Sequence, residues 1–185
     1  MTHLMKILLP TGVFIAVVTG ALADEPPAWS EFEVWSSNRV YFAKVTVRDR
    51  GEGFSRCNWK YQLTVYKSGT TLTELWSCEY LYDGYAGGLL ADDGTIFVYI
   101  SFWYYEKHPV VTIYQNGQLK KQITGQEFKV ERSKLQRTVS HDLWWDPSKG
   151  HQFIRTGETP LGLEINTIDS RRILIDLVSF EMRGS

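Results

Sequence analysis

The sequence predicts an all-β fold of about three antiparallel sheets, each formed by roughly fifty residues. Residues that suit a pleated, half-buried surface dominate the chain, and aromatic residues alone make up 14% of it. Glycine, aspartate and asparagine separate short apolar runs, as is typical of antiparallel proteins with many short strands. No amphipathic pattern is long enough for a helix of ten residues, and the best candidate, 125–139, allows one or two helical turns around 125–135.

The first two predicted strands show the alternation expected of sheets with one buried face. Segment 39–48 alternates over part of its length, with Val45 and Val47 on one face. Segment 59–67 places apolar side chains at every second position, from Trp59 to Val65, with polar side chains between them. Both segments are therefore predicted to cover a core with one face.

The later strands are predicted from apolar runs and from the turns between them. Segment 95–103 is nearly all apolar, which predicts a strand covered on both faces. Asp93-Gly94 and Asn116-Gly117 accept the positive φ angles of a tight hairpin turn. The remaining predicted strands are 109–115, 161–168 and 172–180.

One unit is repeated three times along the chain. It consists of a turn and a strand, a more polar loop, a second strand that ends in a short turn, and a third strand. Segments 64–77 and 112–125 show the repeated turn most clearly, because in each a tyrosine lies three residues before a glycine. A sheet of this size buries its apolar face against a neighbouring sheet, so the repeat predicts a stack with a shared core.

The segments LADDGTIFVYISFW (90–103) and VVTIYQNGQLKKQI (110–123) resemble the blade repeat of exported bacterial β-propeller relatives of uncharacterised function. In those proteins Asp-Gly opens an inner strand and Asn-Gly turns between outer strands. The resemblance implies propeller-like blades. Three units are fewer than the roughly four to eight blades of a closed propeller, so we expect an open or sandwich-like body, unless several chains complete a ring.

The N-terminal residues have the features of a signal peptide. Lys6 supplies a positive charge, an apolar run follows, and Ala21-Leu22-Ala23 supplies small residues for cleavage. The run is short and is interrupted by Pro10, so we expect no stable membrane span after cleavage; an uncleaved anchor is the alternative. We predict a signal peptide over 1–23, a single all-β domain over 24–185, and a bacterial protein located in the periplasm or secreted.

The charge of the chain excludes one class of partner, and its two cysteines predict a disulfide. The net charge is −1 and the basic residues are scattered, whereas nucleic-acid binding needs a concentrated positive face, so we expect no nucleic-acid partner. Cys57 and Cys78 are the only cysteines. Because an isolated pair in an exported chain usually oxidises, the sequence predicts a Cys57–Cys78 disulfide.

No pattern in the sequence predicts a catalytic residue, a metal ligand or a cofactor. The histidines at 108, 141 and 151 lack the spacing of metal ligands. Ser140, His141 and Asp142 are adjacent, whereas the members of a catalytic triad converge from separate segments.

Aromatic loops are the candidate binding surface. They lie at 80–88, 102–108 and 141–147, and exposed aromatic clusters with polar rims mark interaction surfaces. Trp144 and Trp145 would face opposite ways in a strand, so one is expected in the core and the other exposed. The residues predicted to bind a ligand are Tyr82, Asp83, Tyr85, His141, Asp142 and Trp145; of these, Tyr82, Asp83, Tyr85 and Trp145 are expected to be exposed.

These features predict a non-catalytic exported binding or interaction module of the cell envelope, with a protein or glycan ligand. Two alternatives remain open. A carbohydrate-active hydrolase would need two carboxylates in one cleft, for example Asp83 and Asp142. A homo-oligomeric structural component would use edge strands to complete a larger ring.

Overall fold

A computed structural model of the chain describes residues 27–52, 55–155 and 160–184. The predicted signal peptide, 1–23, lies outside the described residues. Strands dominate the described chain, which contains one α-helix of four residues. Three antiparallel sheets have four strands each, and none of the described sheets closes into a ring. The predicted fold class, an open all-β stack of three sheets, is confirmed.

The strands of each sheet follow one another in chain order, so every sheet is a meander. The first sheet contains β1 (Phe32–Trp35), β2 (Tyr41–Asp49), β3 (Lys60–Lys67) and β4 (Thr73–Tyr80). The central sheet contains β5 (Leu89–Leu90), β6 (Ile96–Ile100), β7 (Pro109–Gln115) and β8 (Gln118–Thr124). A small two-stranded sheet contains β9 (Gln136–Arg137) and β10 (Asp142–Leu143). The third sheet contains β11 (His151–Arg155), β12 (Pro160–Asn166), β13 (Arg172–Asp176) and β14 (Met182–Gly184).

The predicted Asn-Gly turn has the expected backbone at both residues, and the predicted Asp-Gly turn has it at its glycine. Asn116 and Gly117 have φ angles of 48° and 77° and join β7 to β8, so the Asn-Gly pair forms the hairpin turn that its sequence predicts. Gly94, with a φ angle of 73°, lies in the turn between β5 and β6. The predicted helical turns lie in α1 (Gly125–Phe128) and in a 3₁₀ turn at Arg132–Lys134.

The central sheet is covered on both faces, as its apolar sequence predicts. All five residues of β6 are buried. Ile96, Val98 and Ile100 point toward the third sheet, whereas Phe97 and Tyr99 point toward the first sheet. The alternation of side chains along one strand therefore supplies two different cores.

The two cores differ in composition. The aliphatic core lies between the central and third sheets and contains Ala91, Ile96, Val98, Ile100, Val110, Val111, Ile113, Ile123, Phe128, Val130, Trp144, Leu163, Ile165, Ile173, Ile175 and Leu177. The tyrosine core lies between the first and central sheets and contains Ala43, Val45, Tyr61, Leu63, Val65, Tyr80, Leu90, Phe97, Tyr99 and Tyr114.

Asp92 links all three sheets. It lies in the turn between β5 and β6 and is 8% exposed. The Ser37 hydroxyl donates to both of its carboxylate oxygens, at 2.9 and 2.8 Å, and the Asn38 N–H donates to one of them at 3.0 Å. Arg155 of the third sheet forms an ion pair with the same carboxylate. One carboxylate therefore connects a first-sheet turn to a third-sheet strand.

The predicted Cys57–Cys78 disulfide is wrong, because the two cysteines lie far apart. Cys57 is exposed in a 3₁₀ turn before β3, whereas Cys78 is half-buried within β4, opposite Leu63. Leu63 lies three strand residues beyond Lys60, about 10 Å along β3. A disulfide needs Cα atoms within roughly 7 Å of each other, so both cysteines are free thiols.

Candidate functional site

A groove of about 470 Å³ lies between the first and central sheets, next to the tyrosine core. We call it the tyrosine groove. Its aromatic walls are formed by Trp59, Tyr61, Tyr80, Tyr82, Tyr99 and Tyr105. Its polar lining comes from Lys60, Glu79, Asp83, His108, Thr112 and Gln122.

The groove opens where the first sheet ends. Tyr61 and Tyr80 are paired across β3 and β4 at this end, and the chain then leaves the sheet as the loop 81–88. Thr112 on β7 and Gln122 on β8 are opposite each other on the central sheet and form part of the facing wall. Two sheet ends and one loop therefore position the lining residues.

Tyr80 borders the groove and has a buried, unpartnered hydroxyl. Its side chain is 3% exposed, and its hydroxyl has no hydrogen-bond partner among the described residues. Burial raises the pKa of Tyr80 well above its ordinary value. The indole N–H of Trp59, another lining residue, is also buried without a partner in the described chain. Buried polar atoms of this kind are rare in folded proteins.

The neighbouring tyrosine hydroxyls are satisfied, which distinguishes Tyr80 from them. Tyr61 donates to the carbonyls of Trp29 and Arg56, at 3.3 and 3.2 Å. The Tyr114 hydroxyl accepts from the Leu81 N–H at 3.1 Å. Of these three hydroxyls, that of Tyr80 alone lacks a partner within the described residues, and its residue borders the groove.

Asp83 supplies a partly buried carboxyl group. Each of its oxygens lies 2.7 Å from the Tyr99 hydroxyl, which donates to this carboxyl, and the Tyr85 N–H donates to it at 3.2 Å. Burial raises the pKa of Asp83, and these hydrogen bonds oppose the rise. Among the described ion pairs, none includes Asp83.

The loop that carries Asp83 is held against the segment before β1. The Gly84 carbonyl accepts hydrogen bonds from the N–H groups of Ala28 and Trp29, at 2.9 and 3.2 Å. Gly84 has a φ angle of 95°, and a Cβ atom there would lie 2.4 Å from Pro27 Cβ, so glycine is required. Asp83 is thus presented by a loop with a fixed backbone.

Tyr82 and Tyr105 form two further aromatic walls. The Tyr82 hydroxyl donates to the Ser30 carbonyl at 3.0 Å, and its ring lies edge-on to that of Tyr61 with centroids 4.8 Å apart. Burial raises the pKa of Tyr82 and of Tyr105 to about 12, so both phenols are neutral at physiological pH. The walls therefore present uncharged π surfaces.

The structure brings four of the six sequence-predicted residues together. Tyr82 and Asp83 line the groove. Tyr85 lies edge-on to Trp103, and the His141 ring stacks on the same Trp103 with centroids 4.8 Å apart. The loops around 80–88 and 102–108 and residue 141 are therefore neighbours.

Asp142 and Trp145 do not line the tyrosine groove, and Trp145 packs edge-on to Phe102 with ring centroids 5.2 Å apart. Asp142 borders a separate depression of about 330 Å³ with Glu106 and Arg132. Trp145 is half-buried and lies edge-on to His151, with centroids 4.9 Å apart. Trp144 is the fully buried member of the tryptophan pair. Tyr82, Asp83, Tyr85 and Trp145 were predicted to be exposed, but each is half-buried because the neighbouring loops pack on it.

Sequence reasoning missed the groove residues that belong to strands. Tyr80 ends β4 and Tyr99 lies within β6, where an aromatic residue is normally interpreted as core. The tyrosines at 61, 80, 99 and 114 were a usable signal of a site. A buried tyrosine needs a hydrogen-bond partner for its hydroxyl, whereas a buried phenylalanine or leucine needs none.

Across 27–52, 55–155 and 160–184, no three residues among His, Cys, Asp and Glu form a cluster able to hold a metal ion. Over the same residues, no helix has the length and apolar character needed to span a bilayer.

Comparisons of the chain with protein-family models, with curated proteins and with solved structures find no match.

Proposed function

We propose that this protein is an exported, non-catalytic binding module of the cell envelope, and that it holds a small ligand or one group of a protein or glycan in the tyrosine groove. The unpartnered Tyr80 hydroxyl beside the groove is the observation that carries this proposal. The predicted signal peptide supports the location in the periplasm or outside the cell.

The energetic reason is the cost of an unsatisfied polar group. A buried hydroxyl without a partner costs about 1–3 kcal/mol. A ligand that hydrogen-bonds to Tyr80 would recover part of that free energy, so the protein is suited to a bound partner. The volume of about 470 Å³ is also in the range of small-ligand sites, which combine apolar walls with a few convergent polar groups.

A glycan fits this lining well. A sugar ring has an apolar C–H face and an edge of hydroxyl groups. Tyr82 and Tyr105 offer flat rings for the apolar face, while Glu79, Thr112 and Gln122 offer donors and acceptors for the hydroxyls. The groove is formed at the ends of rigid sheets, which favours a preorganised site.

We also propose that the three sheets are blades of the propeller type. The meander order of each sheet, and the Asp93-Gly94 turn between β5 and β6, support this relationship. In this proposal the chain is an open array, and its binding groove lies between two neighbouring blades.

A carbohydrate-active hydrolase is the second candidate, and one observation favours it. Glu79 and Asp83 both border the groove, and the raised pKa of Asp83 suits a general acid. The pair named from the sequence is less suitable, because Asp83 and Asp142 border separate depressions. Release of reducing sugar from a bound glycan, abolished by Glu79→Gln, would favour this candidate.

The test is a titration of the purified protein with a panel of soluble glycans, followed by calorimetry on two variants. Tyr80→Phe removes the unpartnered hydroxyl and should weaken binding about tenfold. Tyr114→Phe is the matched control, because its hydroxyl already bonds to Leu81, and it should leave affinity unchanged. If no member of the panel binds, or if both variants bind equally well, the proposal is wrong.

The homo-oligomeric alternative is tested on the same sample. Light scattering that shows one species at the monomer mass would contradict a structural ring built from several chains.

A further inference from the structure

We propose that the group received by the tyrosine groove is an organic ammonium cation, with Asp83 as its counter-charge and the surrounding tyrosine rings as its walls. This inference depends on the proposed binding function and specifies the chemistry of the ligand. It arises from a comparison of Asp83 with the other buried carboxylates of the same protein.

Three carboxylates whose side chains are no more than 11% exposed each have an arginine partner. Asp92 is paired with Arg155, Glu164 with Arg172, and Asp169 with Arg171. Their side chains are 11%, 10% and 7% exposed, so each of these charges is neutralised where it is removed from water.

Asp83, like Asp93 and Asp142, is half-buried and has no arginine partner among the described ion pairs, but of these three only Asp83 borders the tyrosine groove. Its carboxyl receives hydrogen bonds from the Tyr99 hydroxyl and the Tyr85 N–H, but none of the described residues forms an ion pair with it. Asp83 borders the open groove, whereas the three arginine-paired carboxylates do not. A cation that enters the groove would therefore take the place that an arginine occupies beside the other three.

The aromatic walls are suited to the same charge. The face of a tyrosine ring attracts a cation placed within about 6 Å of its centroid, and the attraction increases when the cation loses water. Tyr80, Tyr82, Tyr99 and Tyr105 border the groove, and no described arginine or lysine lies over any of their rings. Trp59 differs, because Arg50 and Arg56 already lie over its ring, at 5.3 and 5.7 Å.

The charges at the mouth of the groove do not reverse this preference. Lys60 and Glu79 both line it, both are exposed, and their opposite charges offset each other in solvent. His108 is exposed as well. Arg50 and Arg56 add positive charge beside the lining residue Trp59, and Asp83 is the half-buried carboxyl that borders the groove. Because burial weakens solvent screening, its charge acts more strongly on a bound cation than an exposed charge at the same distance would.

The first experiment uses the unaltered protein and two probes of the same shape. Choline carries a quaternary ammonium group, and 3,3-dimethylbutan-1-ol replaces the charged nitrogen by carbon. Calorimetry, or the tryptophan fluorescence of the protein, should give an affinity for choline at least about tenfold higher than for the alcohol. Glucosamine should likewise bind more tightly than N-acetylglucosamine. Equal binding within each pair would overturn the inference without requiring any variant.

The second experiment removes the counter-charge and keeps its hydrogen bond. Asp83→Asn retains an amide oxygen that accepts from Tyr99, so we expect the fold to persist and choline affinity to fall at least about tenfold. Asp93→Asn is the matched control, because Asp93 is half-buried and accepts hydrogen bonds from Thr95 in the β5–β6 turn. It should leave choline binding unchanged. Unchanged affinity in a folded Asp83→Asn variant would overturn the role of Asp83.

The outcomes separate this inference from the proposed function. If a neutral glycan binds with sensitivity to Tyr80→Phe while choline and glucosamine do not bind, the ammonium inference fails and the binding module stands. If neither cations nor neutral glycans bind, both fail. If Asp83→Asn does not fold, the ratio of choline to dimethylbutanol affinity on the unaltered protein decides.

Discussion

The two faces of the central sheet perform different tasks. The face toward the third sheet contributes Ile96, Val98 and Ile113 to the aliphatic core, and these three side chains carry no polar atoms. The face toward the first sheet contributes Tyr99 and Tyr114 to the tyrosine core. The same strands, β6 and β7, thus give one interface side chains that need no hydrogen bonds and give the other tyrosines whose hydroxyls each need a partner.

Under the proposed function, this difference lets a repeated sheet form a binding site without a change of fold. Aliphatic side chains pack densely and can seal an interface, as at Leu163 and Ile165, which are both 0% exposed. Tyrosines bring polar atoms into the interface, and at its end a groove remains beside Tyr80 and Asp83. The aliphatic interface is therefore expected to dominate stability, and the tyrosine interface to dominate recognition.

The largest expected effect is on the aliphatic interface. Leu163→Ala removes a fully buried side chain from β12 and should lower the free energy of unfolding by about 2–5 kcal/mol. Leu161→Ala, two residues earlier on the same strand, removes a side chain that is 48% exposed and should cost less than about 1 kcal/mol. Urea denaturation measures both. Equal losses would mean that the third sheet does not depend on this core.

The second-largest loss of stability is expected at Asp92, where the aliphatic and tyrosine interfaces meet. Asp92→Ala leaves Arg155 without its partner and releases the Ser37 and Asn38 contacts, so we expect a loss of about 3 kcal/mol. Asp93→Ala removes the hydrogen bonds to Thr95 within the same turn and should cost about 1 kcal/mol. If thermal denaturation ranks the two variants in the opposite order, Asp92 does not link the sheets.

Local pattern was enough to predict the sheets and several turns. Alternation along 59–67 and the apolar run at 95–103 gave the buried faces of β3 and β6, because side-chain direction in a strand follows from position alone. The Asn116-Gly117 turn was predictable for a similar reason, since few residues accept its φ angles. These features depend on residues close together in the chain.

One local turn and two features that depend on distant contacts were not predicted. The segment 172–180 was predicted as one strand, but β13 ends at Asp176 because its carboxylate accepts hydrogen bonds from the N–H groups of Val178 and Ser179, each at 2.8 Å. The chain then returns as β14. The disulfide was predicted because the chain is expected to be exported and contains two cysteines. Neither fact gives the distance between the two side chains. For Tyr80, the sequence could not show which hydroxyls the fold would satisfy.

Two conservative substitutions test the tyrosine interface directly. Tyr114→Phe leaves the Leu81 N–H without its acceptor and should lower the free energy of unfolding by about 1 kcal/mol. Tyr80→Phe removes a hydroxyl that has no described partner, so it should be neutral or stabilise the unliganded protein by up to about 1 kcal/mol. A clear loss of stability in Tyr80→Phe would show that its hydroxyl is satisfied in solution.

The pH dependence of stability tests the burial of Asp83. Because the folded-state pKa of Asp83 is raised, the folded protein binds this proton more tightly than the unfolded chain. Its contribution to stability is therefore full below the ordinary value of 3.8 and is lost as the pH rises through the raised value. Asp83→Asn should gain stability relative to the parent protein across that window.

The quantity to follow with pH is the difference in the free energy of unfolding between Asp83→Asn and the parent protein. Hydrogen bonds and Arg171 lower the pKa of Asp169, whose contribution to stability is lost in the opposite direction, as the pH falls. This contribution is common to both proteins and cancels in the difference. A difference that does not vary between about pH 3 and pH 8 would show that Asp83 has an ordinary environment in the folded state.

The two thiols are expected to have the smallest effect on stability. They should differ greatly in their rates of reaction with a thiol reagent. Denatured, unreduced protein should titrate as two free thiols with Ellman's reagent, since Cys57 and Cys78 are both unpaired. In the folded protein Cys57 is exposed and should react quickly, whereas burial raises the pKa of Cys78 to about 11, so its thiolate is scarce at pH 8. Cys57→Ser should abolish the fast phase and Cys78→Ser the slow one. Equal rates would mean that β4 does not hold Cys78 against the tyrosine core, and the contrast between the two interfaces would lose one of its structural supports.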